Sequence, residues 1–201
     1  QGITIGLCVS ALPGDVRFLS TLPLDVERGL LALAWLGFAN VFRSMDVVDG
    51  LAGSACIVLA LGYISVLRVA GQESSLLPLA LIIAAASLGY LFWNWPPARV
   101  ITGDVGTVSL GFLLGWLMID LAMRAQPAAA IILPLYFCAD AGLALLVRIV
   151  RGPSAPFMPY YQRAITTGLS HADVATRIIA LNCLLLLLAL ISVRRPLLAL
   201  V

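Results

Sequence analysis

The sequence predicts an all-α, polytopic transmembrane helix bundle, and three observations carry that prediction. Hydrophobic residues make up 62% of the chain and charged residues only 11%, against roughly 25% charged in a soluble domain. Mean hydropathy is +1.06. The apolar residues are gathered into runs near the length that crosses a bilayer, about 17 to 25 residues, separated by short breaks rich in Pro, Gly and charge. The alternating pattern of a membrane barrel is absent, and lipid cannot satisfy open backbone groups, so helices are the expected solution.

Taken in order, Ile3–Leu12 is apolar but too short to span by itself, and Pro13–Arg28, with Asp15, Arg17, Asp25 and Glu27, reads as an exposed loop. Next come Gly29–Phe42, Leu51–Ala70, Leu76–Trp93, Thr107–Met123, Ala128–Val147 and Val174–Val193. About six to seven membrane helices are therefore expected. Pro134 should kink the run that contains it. With no repeat or low-complexity linker, residues 1–201 read as a single domain. The chain opens on Gln1 without an initiator Met or a positively charged leader, so it is expected to be incomplete at its N-terminus. Cys8, Cys56, Cys138 and Cys183 lie scattered in apolar segments and read as small buried hydrophobes, neither disulfides nor metal ligands.

All the basic residues are Arg, the net charge is +2 and no run of like charges occurs, so nothing points to a nucleic-acid partner. Membrane lipids are the implied surroundings. Counting crossings places three polar segments, those around Asp46 and Asp49, Asn94–Gly106 and Arg151–Asp173, on one membrane surface, because an even number of spans separates them. The arginines divide equally between the two sides on this count, so the positive-inside rule does not orient the chain.

Chemistry concentrates in those segments. In NVFRSMDVVDGLAG, Asp46 and Asp49 are three residues apart, a spacing that places both on one helical face, where they can share a cation or face one polar ligand. In WNWPPARVITGDVGT, Pro96 and Pro97 stop a helix, and Gly103 and Gly106 flank Asp104 just before the next apolar run. A carboxylate there suits a hard cation that also touches a substrate phosphate, although an Asp at a helix start is more often a plain N-cap. Trp93 and Trp95 fit an interfacial aromatic belt. Asp120 with Arg124 four residues on reads as a structural ion pair. Asp140, inside an apolar run, is either functional or hydrogen-bonded within the bundle, with Asn182 as a candidate partner.

Together these residues carry a resemblance. Asn40, Arg43, Asp46 and Asp49 followed by GLAG, then Asn94 with the prolines and Gly103-Asp104-Val105-Gly106, then YQRA at 161–164 and GLSH at 168–171, resemble the polyprenyl-phosphate N-acetylhexosamine-1-phosphate transferases. The resemblance runs from about Asn40 to Val193. It implies an enzyme of the bacterial cytoplasmic membrane, its active site facing the cytoplasm, that moves a sugar-1-phosphate from a UDP-sugar to undecaprenyl phosphate and releases UMP, with Mg²⁺. It further implies Asp104 as the metal ligand, and Asp46 and Asp49 as groups that orient the nucleotide end and help hold the reacting groups. Asn40 and Asn94 become polar contacts to the UDP-sugar and Arg163 a phosphate contact, against the plainer reading of Arg163 as a surface anchor. A homodimer is among the partnerships the resemblance allows.

The chain also departs from the family pattern. Arg43 stands where a second Asn is usual, Val47 where a Gly is, and Ile101 where a Phe is common. RGPSAPFMPYY, with Pro156 and Pro159, replaces a histidine-containing motif, and the family's upstream Asp-Asp pair has no counterpart in Gln1–Phe18. The lone histidine, His171, follows Ser170 and reads as a solvated first-turn residue, with Asp173 three positions beyond the cap. Arg43 lies one turn from Asp46 and Asp49, placed either to neutralise one of them or to occupy a cation's place. These departures motivate a second reading, a catalytically impaired or truncated homologue that binds nucleotide-sugar or lipid, or is purely structural. A transporter is a weaker third, because its carboxylates would cluster at midplane.

Overall fold

The computed structural model describes residues 1–12, 23–152 and 156–194. The described residues are helical and turn structure without strands, in the order α1 (Gly2–Ser10), α2 (Leu24–Ser44), α3 (Leu51–Ala70), α4 (Leu77–Asn94), α5 (Gly103–Met123), α6 (Pro127–Ile132), α7 (Leu135–Arg151), α8 (Tyr160–Thr166) and α9 (His171–Arg194). Five of these segments, Leu24–Val47, α3, α4, α5 and α9, are long and apolar enough to cross a membrane. The protein is a multi-pass membrane protein of the expected all-α class.

The element bounds follow local chemistry. Leu51–Ala70 has the expected limits because Gly50, at φ +78°, releases the chain into α3, and Gly71, at φ +66°, closes it. The Gly71 N–H donates to Arg68 O and the Gln72 N–H to Leu67 O, the paired bonds of a Schellman ending. α2 begins five residues before the expected Gly29, at Leu24, so the part of the Pro13–Arg28 loop from Leu24 onward is helix; residues 13–22 lie outside the described residues. Asp25 and Glu27 occupy its first turn, where carboxylates favour the helix dipole. The expected single span Ala128–Val147 is instead two helices. Pro134 has no N–H to continue the ladder, and the chain breaks at Leu133–Pro134 between α6 and α7. The cysteines are free, but only Cys56 is fully buried, while Cys138 and Cys183 are exposed.

α3 is the central helix, with 61% of its span buried, and it packs against α4, α5 and α9. α2 packs on α5 through a small-residue seam. A Cβ added at Gly111 would stand 3.0 Å from the Ala39 Cα and 2.7 Å from the Phe42 Cβ, and one at Gly115 would collide with the Trp35 ring. Two glycines four apart thus admit the backbone of α2, the close-approach device by which helices associate in lipid. Trp35 anchors the seam by donating Nε1–H to Phe112 O at 3.0 Å and stacking on Phe112 and Trp116. α1 lies antiparallel along α2: Arg28 donates to Ser10 O and Leu12 O at one end, and Gln1 approaches Arg43 at the other.

A second polar cluster ties the opposite ends of α3, α4 and α5. Asp120 Oδ2 accepts from Arg124 Nε at 2.8 Å, as the i, i+4 spacing predicts, and also from the buried Tyr63 and Ser74 hydroxyls. Asp140 does not meet Asn182, whose side chain donates to Ile178 O in its own helix.

Gly115→Ala should lower the unfolding midpoint of the detergent-solubilised protein, a loss of about 1–3 kcal/mol from overpacking against Trp35. Gly89→Ala, whose Cβ meets nothing within 4 Å, should leave the midpoint unchanged or raise it.

Candidate functional site

The three polar segments predicted to share a surface do meet, and each contact can be traced to a side chain. The turn between α2 and α3 runs through a 3-10 turn (Met45–Val47) to Gly50. The segment 95–102 joins α4 to α5, and α8 with the start of α9 supplies the third wall.

Asp46 accepts the Thr102 N–H at 3.3 Å and the Gly103 N–H at 2.6 Å. These amides open α5, whose own N-cap, Thr102, makes no side-chain cap bond, so a carboxylate from another segment caps the helix and meets the positive end of its dipole. Asp49 accepts the Ala98 N–H at 3.1 Å through Oδ2. Asn94 bridges: its Oδ1 accepts the buried Gly50 N–H at 2.9 Å and its Nδ2 donates to Val100 O at 2.8 Å. Gly50 is required there twice over, by its positive φ and because a Cβ would press on Pro96 and Trp95 at 3.3 and 3.4 Å. Trp93 and Trp95 are half exposed at the end of α4.

Asp104 lies in the first turn of α5 and is not its N-cap. Its carboxylate meets Arg43 across the α2–α5 boundary, Nη2 to Oδ2 at 2.5 Å, with both side chains more than half exposed. Of the two roles the sequence leaves open for Arg43, pairing with Asp46 or Asp49 is not the one adopted. Gln1, Val105, Val108 and Ser109 border the same open depression, about 370 Å³ in volume.

The third wall is fixed by Asp140. Its carboxylate accepts the Tyr160 N–H at 2.8 Å and the Tyr161 N–H at 3.5 Å, capping α8 from α7. α8 then reaches α2: Tyr161 shares a 2.7 Å hydrogen bond with Ser44, and Gln162 Nε2 donates to Ser44 O at 3.1 Å. Burial pushes the Tyr161 phenol up to about 12, so this link stays protonated at neutral pH. Arg163 stacks over the Tyr160 ring at 5.5 Å. Asn40, exposed on α2, donates to Leu36 O of its own helix. Ile101, at the usual Phe position, is exposed, as is Val47.

His171, read from the sequence as a solvated first-turn residue of the third polar segment, has a partner that the sequence did not show. Ser170 and Asp173 do form the expected cap, with the Asp173 N–H donating to Ser170 Oγ at 3.1 Å. His171 also reaches back to Asp49, its Nδ1 accepting the Asp49 N–H at 3.2 Å and lying 3.5 Å from Oδ1.

No three His, Cys, Asp or Glu side chains come together as a metal cage among the described residues. Mg²⁺ is usually held by one or two carboxylates, waters and substrate phosphates. An exposed Asp104 beside a depression fits that mode, a cation delivered with a diphosphate, better than a resident metal. Asp46 and Asp49 already accept backbone N–H groups, though each carboxylate keeps lone pairs for a ligand.

Residues 4–122 match glycosyl transferase family 4. A probable undecaprenyl-phosphate N-acetylglucosaminyl 1-phosphate transferase from Bacillus subtilis is 28% identical over 182 residues, 85% of this chain and 51% of that protein. A phospho-N-acetylmuramoyl-pentapeptide-transferase from Streptococcus thermophilus is 31% identical over 144 residues, 69% of this chain and 42% of that protein. Another of that name from Enterococcus hirae is 34% identical over 116 residues, 54% of this chain and 34% of that protein. The chain thus spans about half the length, or less, of the curated relatives it matches.

Asn94→Ala should loosen the 95–102 segment by leaving the Gly50 N–H and Val100 C=O without their partner, at about 1–3 kcal/mol for the buried Gly50 N–H. Limited trypsin digestion reads this directly, since Arg99 is exposed within the segment: cleavage after Arg99 should be faster in the variant and unchanged in Asn40→Ala.

Proposed function

Because the chain belongs to glycosyl transferase family 4, we propose that it serves in the transfer of an N-acetylhexosamine-1-phosphate from a UDP-sugar to undecaprenyl phosphate, releasing UMP, in bacterial cell-envelope synthesis. The names of its relatives support the polyprenyl-phosphate acceptor and the amino-sugar donor. The observation that carries the reading is the convergence of Asp46, Asp49, Asp104 and His171 from chain-distant segments onto one end of the bundle. In this reading that end faces the cytoplasm, where a UDP-sugar is available, and the lipid acceptor arrives along the helix faces.

Mg²⁺ held at Asp104 would supply charge neutralisation at the diphosphate, the main requirement of phosphoryl transfer. The protein's own groups position. Asp46, by capping α5, fixes the turn that presents Asp104. Asp49, held by Ala98 and facing His171, orients the nucleotide end, and Asn94 keeps both turns in register. Asn40, exposed on α2, is assigned as a polar contact to the UDP-sugar, and Arg163, on α8, as a phosphate contact.

One observation favours the second reading, a homologue that binds without turnover: a fixed cation, Arg43, rests on the carboxylate assigned to the metal. The two separate in an assay of UMP release from UDP-N-acetylglucosamine with undecaprenyl phosphate and Mg²⁺. The enzyme reading expects turnover that falls at least about 100-fold in Asp104→Asn, the scale of losing one main electrostatic stabiliser. Absence of turnover from the full-length protein would overturn it.

A further inference from the structure

A guanidinium on a carboxylate weakens its hold on a divalent cation, by using part of its lone pairs and by placing a fixed positive charge beside the metal. Arg43 presents planar N–H donors to Asp104 Oδ2, the lone pairs a hard cation would need. The pair is not a buried structural bond, since the side chains are 55% and 64% exposed beside the open depression that includes Ser109. Exposed ion pairs of this kind are weakly held, so Arg43 can leave at little cost. Asp46 and Asp49 are held toward the 98–103 segment by its backbone amides, and Arg43 pairs with Asp104. A phosphate entering the depression that Arg43 and Asp104 both line would offer the released guanidinium a new partner.

The geometry points to Arg43 as a tethered competitor for the divalent cation at Asp104. It holds the carboxylate while the site is empty and exchanges it for a phosphate oxygen when a cation and a diphosphate enter together. Cation alone must share Asp104 with Arg43 or displace it, and either way sits beside the guanidinium's charge; cation with diphosphate gives the guanidinium a new anion. The two ligands therefore bind cooperatively, with Arg43 as the positioning residue that couples them. The inference rests on the proposed assignment of Asp104 as the cation's ligand.

The test is Mn²⁺ binding, followed by electron paramagnetic resonance of the free ion, to the full chain in detergent with and without UDP. Without UDP, Arg43→Asn should bind Mn²⁺ about five-fold more tightly than wild type or better, the scale of an exposed pair plus relieved repulsion. Its gain in Mn²⁺ affinity on adding UDP should shrink, Arg43→Lys should behave as wild type, and Asp104→Asn should weaken binding in every background. If Arg43→Asn binds Mn²⁺ no more tightly than wild type while Asp104→Asn weakens it, the competitor role is overturned and the cation assignment stands. If Asp104→Asn leaves Mn²⁺ binding unmoved, the cation assignment itself is overturned.

Discussion

The fastening of the 95–103 segment to the turn between α2 and α3 is the constraint on which the rest of the site depends. A non-helical stretch at the end of a membrane bundle carries backbone N–H and C=O groups that need partners. Asp46, Asp49 and Asn94 supply them, taking the amides of Thr102, Gly103, Ala98 and Gly50 and the carbonyl of Val100. Polar side chains placed for structure thereby bring Asp104 beside Arg43 and leave an open depression over both. Asp140 repeats the device for α8, and the bonds from Tyr161 and Gln162 to Ser44 close the third side.

This arrangement needs α2 and α5 at a fixed distance and height. Gly111 and Gly115 let the α2 backbone approach α5, and Trp35 fills the seam. In lipid, where apolar side chains gain little by leaving their surroundings, such close packing is a main source of helix association. The C-terminal end of α2, with Arg43, and the first turn of α5, with Asp104, meet because the seam between them is tight. At the opposite end, Asp120 with Arg124, Tyr63 and Ser74 ties α3 and α5 and keeps the helices from sliding.

Much of this was legible in the residues, for identifiable reasons. Uninterrupted apolar length marks a span whatever its partners, so α3 was read to its exact bounds and α4 to within one residue. Counting crossings assigned the polar segments to one surface without knowledge of packing. The i, i+4 pair Asp120–Arg124 is a purely local signal. What escaped depends on non-local contact. Pro134 announced a disturbance, but its outcome as two helices depends on how α6 docks on α5 and α9. The contact of His171 with Asp49, and the choice by Arg43 of Asp104 over Asp46, join residues far apart in sequence. The Gly111–Gly115 seam shows no deviation in hydropathy, so it is invisible to a reading based on apolar runs.

The central claim is that three chain-distant segments form one ligand site. Hydrogen exchange of the detergent-solubilised protein, compared with and without UDP-N-acetylglucosamine and Mg²⁺, tests it most directly. The account predicts that amides in 45–50, 95–104 and 160–171 gain protection together, at the same ligand concentration, while the Tyr63–Asp120 end does not change. Protection confined to one of the three segments, or spread equally to the opposite end of the bundle, would contradict it.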